Sequence, residues 1–174
     1  AWMETHYGAI DLLVGHSLGG AAVVVAAGQI ESVKAVATIG APSDAEHVIH
    51  NFGQKLDEIE ETGEAEVLLA GRPFRIKKQF VEDIRGAKVR DAAAELRRPF
   101  LVLHAPLDET VGIDNATGLF VAAKHPKSFV SLDGADHLLT RSEDAFRAAN
   151  MIAAWAEPYI FDSGRRQPPQ ESGG

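Results

Sequence analysis

Ile10-Asp11-Leu12-Leu13-Val14-Gly15-His16-Ser17-Leu18-Gly19-Gly20 is the stretch whose reading decides the fold. The apolar run from Ile10 to Val14 has the composition of a buried strand. It meets a G-x-S-x-G sequence at Gly15, and Ala21 to Ala27 behind it is an unbroken apolar series suited to a helix. A strand, a glycine-flanked turn carrying a serine and then a helix is the context of a nucleophile elbow, in which the turn lifts the hydroxyl clear of the strand end. Ser17 is therefore the candidate nucleophile.

Outward from the elbow, Leu18 to Ile30 reads as a helix packed closely through Gly19, Gly20 and its alanines. Val33 to Ile39 is a second β-rich run, closed by the turn signal Gly40-Ala41-Pro42-Ser43-Asp44. Asp44 is a good N-cap for a helix reaching about Phe52. From Gly53 to Arg98 the strand–helix rhythm stops. Within this stretch, Glu66 to Ile76 predicts two short strands joined at Ala70-Gly71-Arg72-Pro73, and Phe80 to Leu96 has helical character. It reads as a cap-like insertion, residues 53–98. The rhythm returns with a strand at Phe100 to His104, a helix at Gly112 to Lys124, a strand at Ser128 to Leu132 and a helix at Ser142 to Trp155. In that last helix Phe146, Ile152 and Trp155 are expected to be core. Residues 1–161 form one domain, and 162–174, rich in Pro, Gly and Gln, reads as a disordered tail or linker. Buried strands alternating with helices predict an α/β fold, about four mostly parallel strands covered on both faces.

Composition narrows the function. The chain has 174 residues, 45% of them apolar, enough for one domain with a real core. A net charge of -8 offers no basic stripe to neutralise phosphates, which argues against nucleic-acid or anionic-membrane partners. The acidic run Asp57 to Glu66 reads as a solvated helix face. With no cysteine, disulfides, thiolate catalysis and cysteine-ligated metals are excluded. No apolar stretch reaches the roughly 20 residues of a membrane span, and no signal peptide is visible, so a cytoplasmic location is expected.

The chemistry gathers in loops that follow three strands. Ser17 follows the first. Asp108, in Leu103-His104-Ala105-Pro106-Leu107-Asp108, follows the strand at Phe100, and His137, in Leu132-Asp133-Gly134-Ala135-Asp136-His137, follows the strand at Ser128. In a parallel sheet the carboxyl ends of the strands share one edge, so residues far apart in sequence converge there. A serine hydroxyl needs a base to take its proton, the role of His137, and the imidazole needs a carboxylate to fix its tautomer, the role of Asp108. The Leu18 N–H, at the helix start, is the candidate oxyanion donor.

Each assignment has competitors. Asp114, Asp133 and Asp136 rival Asp108, but the two that flank His137 suit turn formation. His16 is expected to point away and pack beside the serine. His104 is expected to satisfy local bonds near the acid loop, and His125 to occupy a turn before a proline. His47 and His50 have i, i+3 spacing without an identifiable third ligand, so no metal or cofactor is expected. Arg72, Arg75, Lys77 and Lys78 read as a solvated hairpin face rather than an anion site, with a border of the pocket entrance as the alternative.

The elbow and the order Ser…Asp…His resemble the α/β-hydrolase family. More narrowly, Gly40-Ala41-Pro42-Ser43-Asp44, Gly71-Arg72-Pro73-Phe74 and His125 to Leu139 resemble the hydrolase half of proteins that fuse an α/β-hydrolase to an OsmC-like domain. The resemblance runs from about residue 5 to residue 160. It implies hydrolysis at Ser17 without the cysteine-based peroxide chemistry of the OsmC-like half. It also implies a C-terminal half of the fold, because four strands and a helix ordinarily precede the elbow strand. At roughly 30 residues per βαβ unit that is about 80 to 100 residues, including the loop that gives a second oxyanion donor. The expected function is a serine esterase cleaving small acyl esters, with the insertion shaping the acyl pocket. The alternative is a weak or inactive half-domain that forms a homodimer by edge pairing through strand 10–14.

Overall fold

The computed structural model describes residues 2–44, 53, 55–69, 72–86 and 88–161. Beyond Asp44 itself, the helix expected from Asp44 to Phe52, His47 and His50 with it, and the tail 162–174 lie outside the described residues.

Four strands form one parallel sheet: β1 (Leu12–His16), β2 (Ala35–Ile39), β5 (Phe100–His104) and β6 (Lys127–Ser131), in the order β1-β2-β5-β6. The α/β expectation of four mostly parallel strands holds. The central strands β2 and β5 are buried almost throughout, as their continuous apolar sequences require. The elbow strand differs from its reading. It starts and ends two residues later than expected, taking in Gly15 and His16, and it is only partly buried, with Val14 exposed. Its place at the edge of the sheet among the described residues is the one expected of strand 10–14. The pairing explains the shift. Asp11 precedes the ladder, where its carbonyl accepts the N–H groups of Lys34 and Ala35, while Gly15 and His16 pair with Thr38 and Ile39.

Helices cover both faces of the sheet. On one face lie α2 (Leu18–Ala27), α5 (Val89–Glu95) and α6 (Asp114–Ala122), packed with Val36, Phe100 and Val102. On the other, α7 (Ser142–Ile160) lays Ala148 and Ile152 against Ala37, Leu101 and Leu103. Trp155 is partly buried there and donates its indole N–H to Ser128 Oγ at 3.2 Å. Phe146, by contrast, is 69% exposed and is not core. The buried stripe of α7 runs Asp144, Ala148, Ile152 and Ala156 at four-residue spacing, and Phe146 lies two residues off it, on the far side of the helix.

The insertion consists of α3 (Lys55–Thr62), an antiparallel hairpin of β3 (Glu64–Leu69) and β4 (Arg72–Lys77), and α4 (Lys78–Gly86), followed by α5. Period-two alternation sorts the hairpin faces. Ala65 pairs with Ile76 and Val67 with Phe74 on the inner face, and Glu64 bonds Arg75 at 3.1 Å on the outer. The helical stretch expected from Phe80 to Leu96 is two helices. The inner hairpin face, with Val81 and Ile84 of α4, joins the same core as α2. This packing brings the insertion over the elbow. A short helix at the start, α1 (Trp2–Tyr7), buries none of its residues and had no counterpart in the sequence reading.

Candidate active site

The parallel ladder continues beyond the strand ends and delivers three loops to one edge. Ser17 N–H bonds Ile39 O at 2.8 Å, Gly40 N–H bonds Leu103 O at 2.9 Å, and Leu132 N–H bonds His104 O at 2.9 Å. Ser17 sits on a strained turn, with φ 54 and ψ -127, and this turn joins β1 directly to α2. Neighbouring glycines make the turn possible. A Cβ on Gly15 would run into the carbonyl of Gly19, and one on Gly20 would stand 2.5 Å from Ala41 Cβ. Gly19 itself has open space where a Cβ would go, so the close packing comes from Gly15 and Gly20.

The structure brings Ser17, His137 and Asp108 into one hydrogen-bonded line. His137 Nε2 lies 3.0 Å from Ser17 Oγ, and His137 Nδ1 lies 2.7 Å from Asp108 Oδ2. An ionised carboxylate only accepts, so Nδ1 carries the proton and the Nε2 lone pair faces the serine hydroxyl. Asp108 is fixed by its other oxygen, where Oδ1 accepts Thr110 N–H at 2.9 Å and Val111 N–H at 2.8 Å. Both Asp108 and His137 are buried, which shields their contact from water. Leu18 N–H belongs to the first turn of α2, where amides have no intrahelical acceptor.

The competing residues fall elsewhere. Asp133 accepts from Ser131 Oγ at 2.6 Å, Asp114 is exposed in the first turn of α6, and Asp136 shapes the loop after its neighbour His137. The Thr140 hydroxyl and amide both donate to Asp136, and the hydroxyl bond foremost holds that carboxyl below its ordinary value. Arg141 donates to Gly134 O at 3.2 Å and grips Asp144 through Nε at 2.8 Å, so the loop is tied at both ends. His104 is fully buried. It donates Nε2–H to Val111 O at 2.8 Å, bridging the two ends of the acid loop, and its Nδ1 has no partner among the described residues. No group of three His, Cys, Asp or Glu among the described residues has the arrangement of a metal site. No helix among them is long and apolar enough to cross a membrane.

Sequence reasoning missed two contributors. His16 does not point away from the site. Its Nε2 lies 2.7 Å from His137 O, and the two rings are 5.0 Å apart. A carbonyl only accepts, so His16 is the donor. Gly40, at φ 55, backs directly onto the His137–Asp108 pair. Its place in a turn signal was legible; its contact with the pair had no local signal.

A cavity of about 640 Å³ opens over Ser17. The insertion forms one wall with Phe74, Ile76 and Phe80, and Leu18, Val111 and Leu138 form the other. Its lining is mainly apolar, with Ser17 and His137 at the floor.

No protein-family model matches the chain, and no curated protein matches it. Solved structures do. The chain is 52% identical to the esterase domain of a Rhodothermus marinus protein, with a TM-score of 0.83 over 92% of this chain and 66% of that one. Mouse alpha/beta hydrolase domain-containing protein 10 is 22% identical, with a TM-score of 0.65 over 90% of this chain and 66% of that one. Est1E from Butyrivibrio proteoclasticus is 20% identical, with a TM-score of 0.65 over 88% of this chain and 65% of that one. At that identity the last two establish a shared fold. The chain spans just under two thirds of the length of each.

Proposed function

This chain belongs to the α/β-hydrolase family, and from that premise we propose that it is a serine hydrolase of small acyl esters. The observation that carries the reading is the unbroken line from Ser17 Oγ through His137 to Asp108, with the serine on a strained elbow. The esterase domain at 52% identity supports the same class of reaction.

In the mechanism, Ser17 Oγ attacks the acyl carbon while His137 Nε2 takes its proton. Asp108 holds the imidazole in the Nδ1–H tautomer and stabilises the imidazolium that forms. Leu18 N–H, at the positive end of α2, donates to the oxyanion. Collapse expels the alcohol with the proton from His137, leaving Ser17 acylated. Water then repeats the sequence, giving its proton to His137 and releasing the acid. The apolar cavity under the insertion receives the acyl group.

The test is hydrolysis of short chromogenic esters by the wild-type chain and by Ser17→Ala, with the fold of each followed by circular dichroism. Turnover confined to the wild type is expected. Equal turnover in a folded Ser17→Ala contradicts the reading.

The position of β1 favours a second reading, in which two copies associate. It has a hydrogen-bonded neighbour on one side only among the described residues, and Val14 on it is exposed. A second copy adding strand to strand would pair the open edge. A dimer mass in solution is expected, and a strictly monomeric folded chain contradicts it.

A further inference from the structure

We propose that Phe80 is a specificity-determining residue, a partition that limits the length of the acyl chain the site accepts. This inference rests on the hydrolase reading above and names the substrate class: esters of short aliphatic acids.

Phe80 begins the second half-turn of α4 and is partly buried against the core. It lines two cavities at once. One is the 640 Å³ cavity over Ser17, and the other is a cavity of about 360 Å³ along α2, walled by Ala21, Ala22, Val25, Ala26 and Ile84. Besides Phe80, only Leu18 and Asp83 among the described residues line both. Leu18 is fixed in the elbow and bears the candidate oxyanion amide, which leaves the Phe80 ring as the large apolar group between the two spaces.

The second cavity is suited to an alkyl chain. Leu18, Ala22, Val25 and Ala26 fall at i, i+4, i+7 and i+8, one face of α2, which borders its core stripe of Gly20, Ala21, Val24 and Ala27 and shares the wall at Ala21. From Leu18 to Ala26 this face runs eight residues, about 12 Å of helix axis. An acyl group bound at Ser17 starts at the Leu18 end and meets Phe80 before it can use that length. Short chains fit in front of the ring. Longer ones meet it, and lose the burial that each further methylene would otherwise gain.

The experiment compares kcat/KM for p-nitrophenyl octanoate and butyrate in the wild type, Phe80→Ala and Phe80→Leu. The octanoate-to-butyrate ratio cancels any general loss of activity. It is expected to rise about tenfold in Phe80→Ala and by less in Phe80→Leu, which guards against a folding defect in the smaller variant. Adding Ala22→Trp to Phe80→Ala refills the second cavity and is expected to bring the ratio back to the wild-type value. A merely structural role for Phe80 predicts no such reversal. A ratio that does not move in either Phe80 variant, or that Ala22→Trp fails to restore, overturns the inference. Wild-type turnover of butyrate alongside a fixed ratio leaves the hydrolase reading standing and removes this inference alone. No turnover of either ester removes both.

Discussion

Gly40 and His137 are in such close contact that a Cβ on the glycine would stand 3.3 Å from the imidazole Nδ1, and 3.4 Å from Asp108 Oδ2 beyond it. Gly40 also has φ 55, a conformation that costs an L-residue about 1–2 kcal/mol. The end of β2 is thereby shaped to the hydrogen bond between the candidate base and its carboxylate. Gly40→Ala should displace the imidazole and lower kcat about tenfold to a hundredfold, with a modest fall in Tm. Steady-state kinetics and thermal melts on the same preparations check both parts; an unchanged kcat contradicts the relationship.

His16 braces the same imidazole from the other side through the carbonyl of its own residue, at 2.7 Å. His16→Phe keeps a ring of similar size and removes the N–H. A lost hydrogen bond of this kind is worth about 1 kcal/mol. The expected result is a several-fold fall in kcat with KM little changed. Partial recovery is expected in His16→Gln, which restores a donor. A change confined to KM contradicts a positioning role.

Asp108 accepts two backbone amides as well as His137 Nδ1–H. In Asp108→Asn the amide oxygen can take the place of Oδ1 and keep both loop contacts. Its NH2, however, faces Nδ1 as a donor and favours the wrong tautomer of His137. A fall in kcat of about four orders of magnitude is expected. Single-turnover kinetics, which isolate acylation, measure it; a fall below tenfold argues that another carboxylate serves the imidazole.

Much of this site was legible because each part carries a local signal. The elbow announces itself through glycines flanking a serine, and the Asp108 and His137 loops follow the apolar runs of β5 and β6. Their convergence follows from parallel strands. The start of β1 was misread because Ile10 is as apolar as the strand residues, and only the pairing partners of Asp11 reveal that the ladder has not begun. Phe146 was misread because aromatic character suggests core, although the four-residue spacing through Ile152 excludes it. The contributions of His16 and Gly40 had no local signal: each depends on contact with a residue about a hundred positions away in the chain.

Thr140 holds the Asp136 carboxyl below its ordinary value of 3.8 by donating its hydroxyl. A group with a depressed folded-state pKa contributes stability in full above its unfolded value, and loses it as pH falls through the folded value. The contribution to the His137 loop therefore persists through mildly acidic pH and disappears only below about pH 4. Thr140→Val lacks it, so the variant should melt earlier than the wild type at neutral pH and the two should converge in strong acid. Melting curves from neutral pH to about pH 3 decide this. A gap that stays constant across the range contradicts the assignment.

The central claim is that Ser17 is an activated nucleophile, and covalent labelling tests it most directly. The folded chain is treated with a fluorophosphonate and its intact mass is read beside that of Ser17→Ala. One adduct per chain, absent from the variant, is the result the account predicts. A folded wild-type chain that takes no adduct, or a Ser17→Ala chain that takes one equally well, contradicts it.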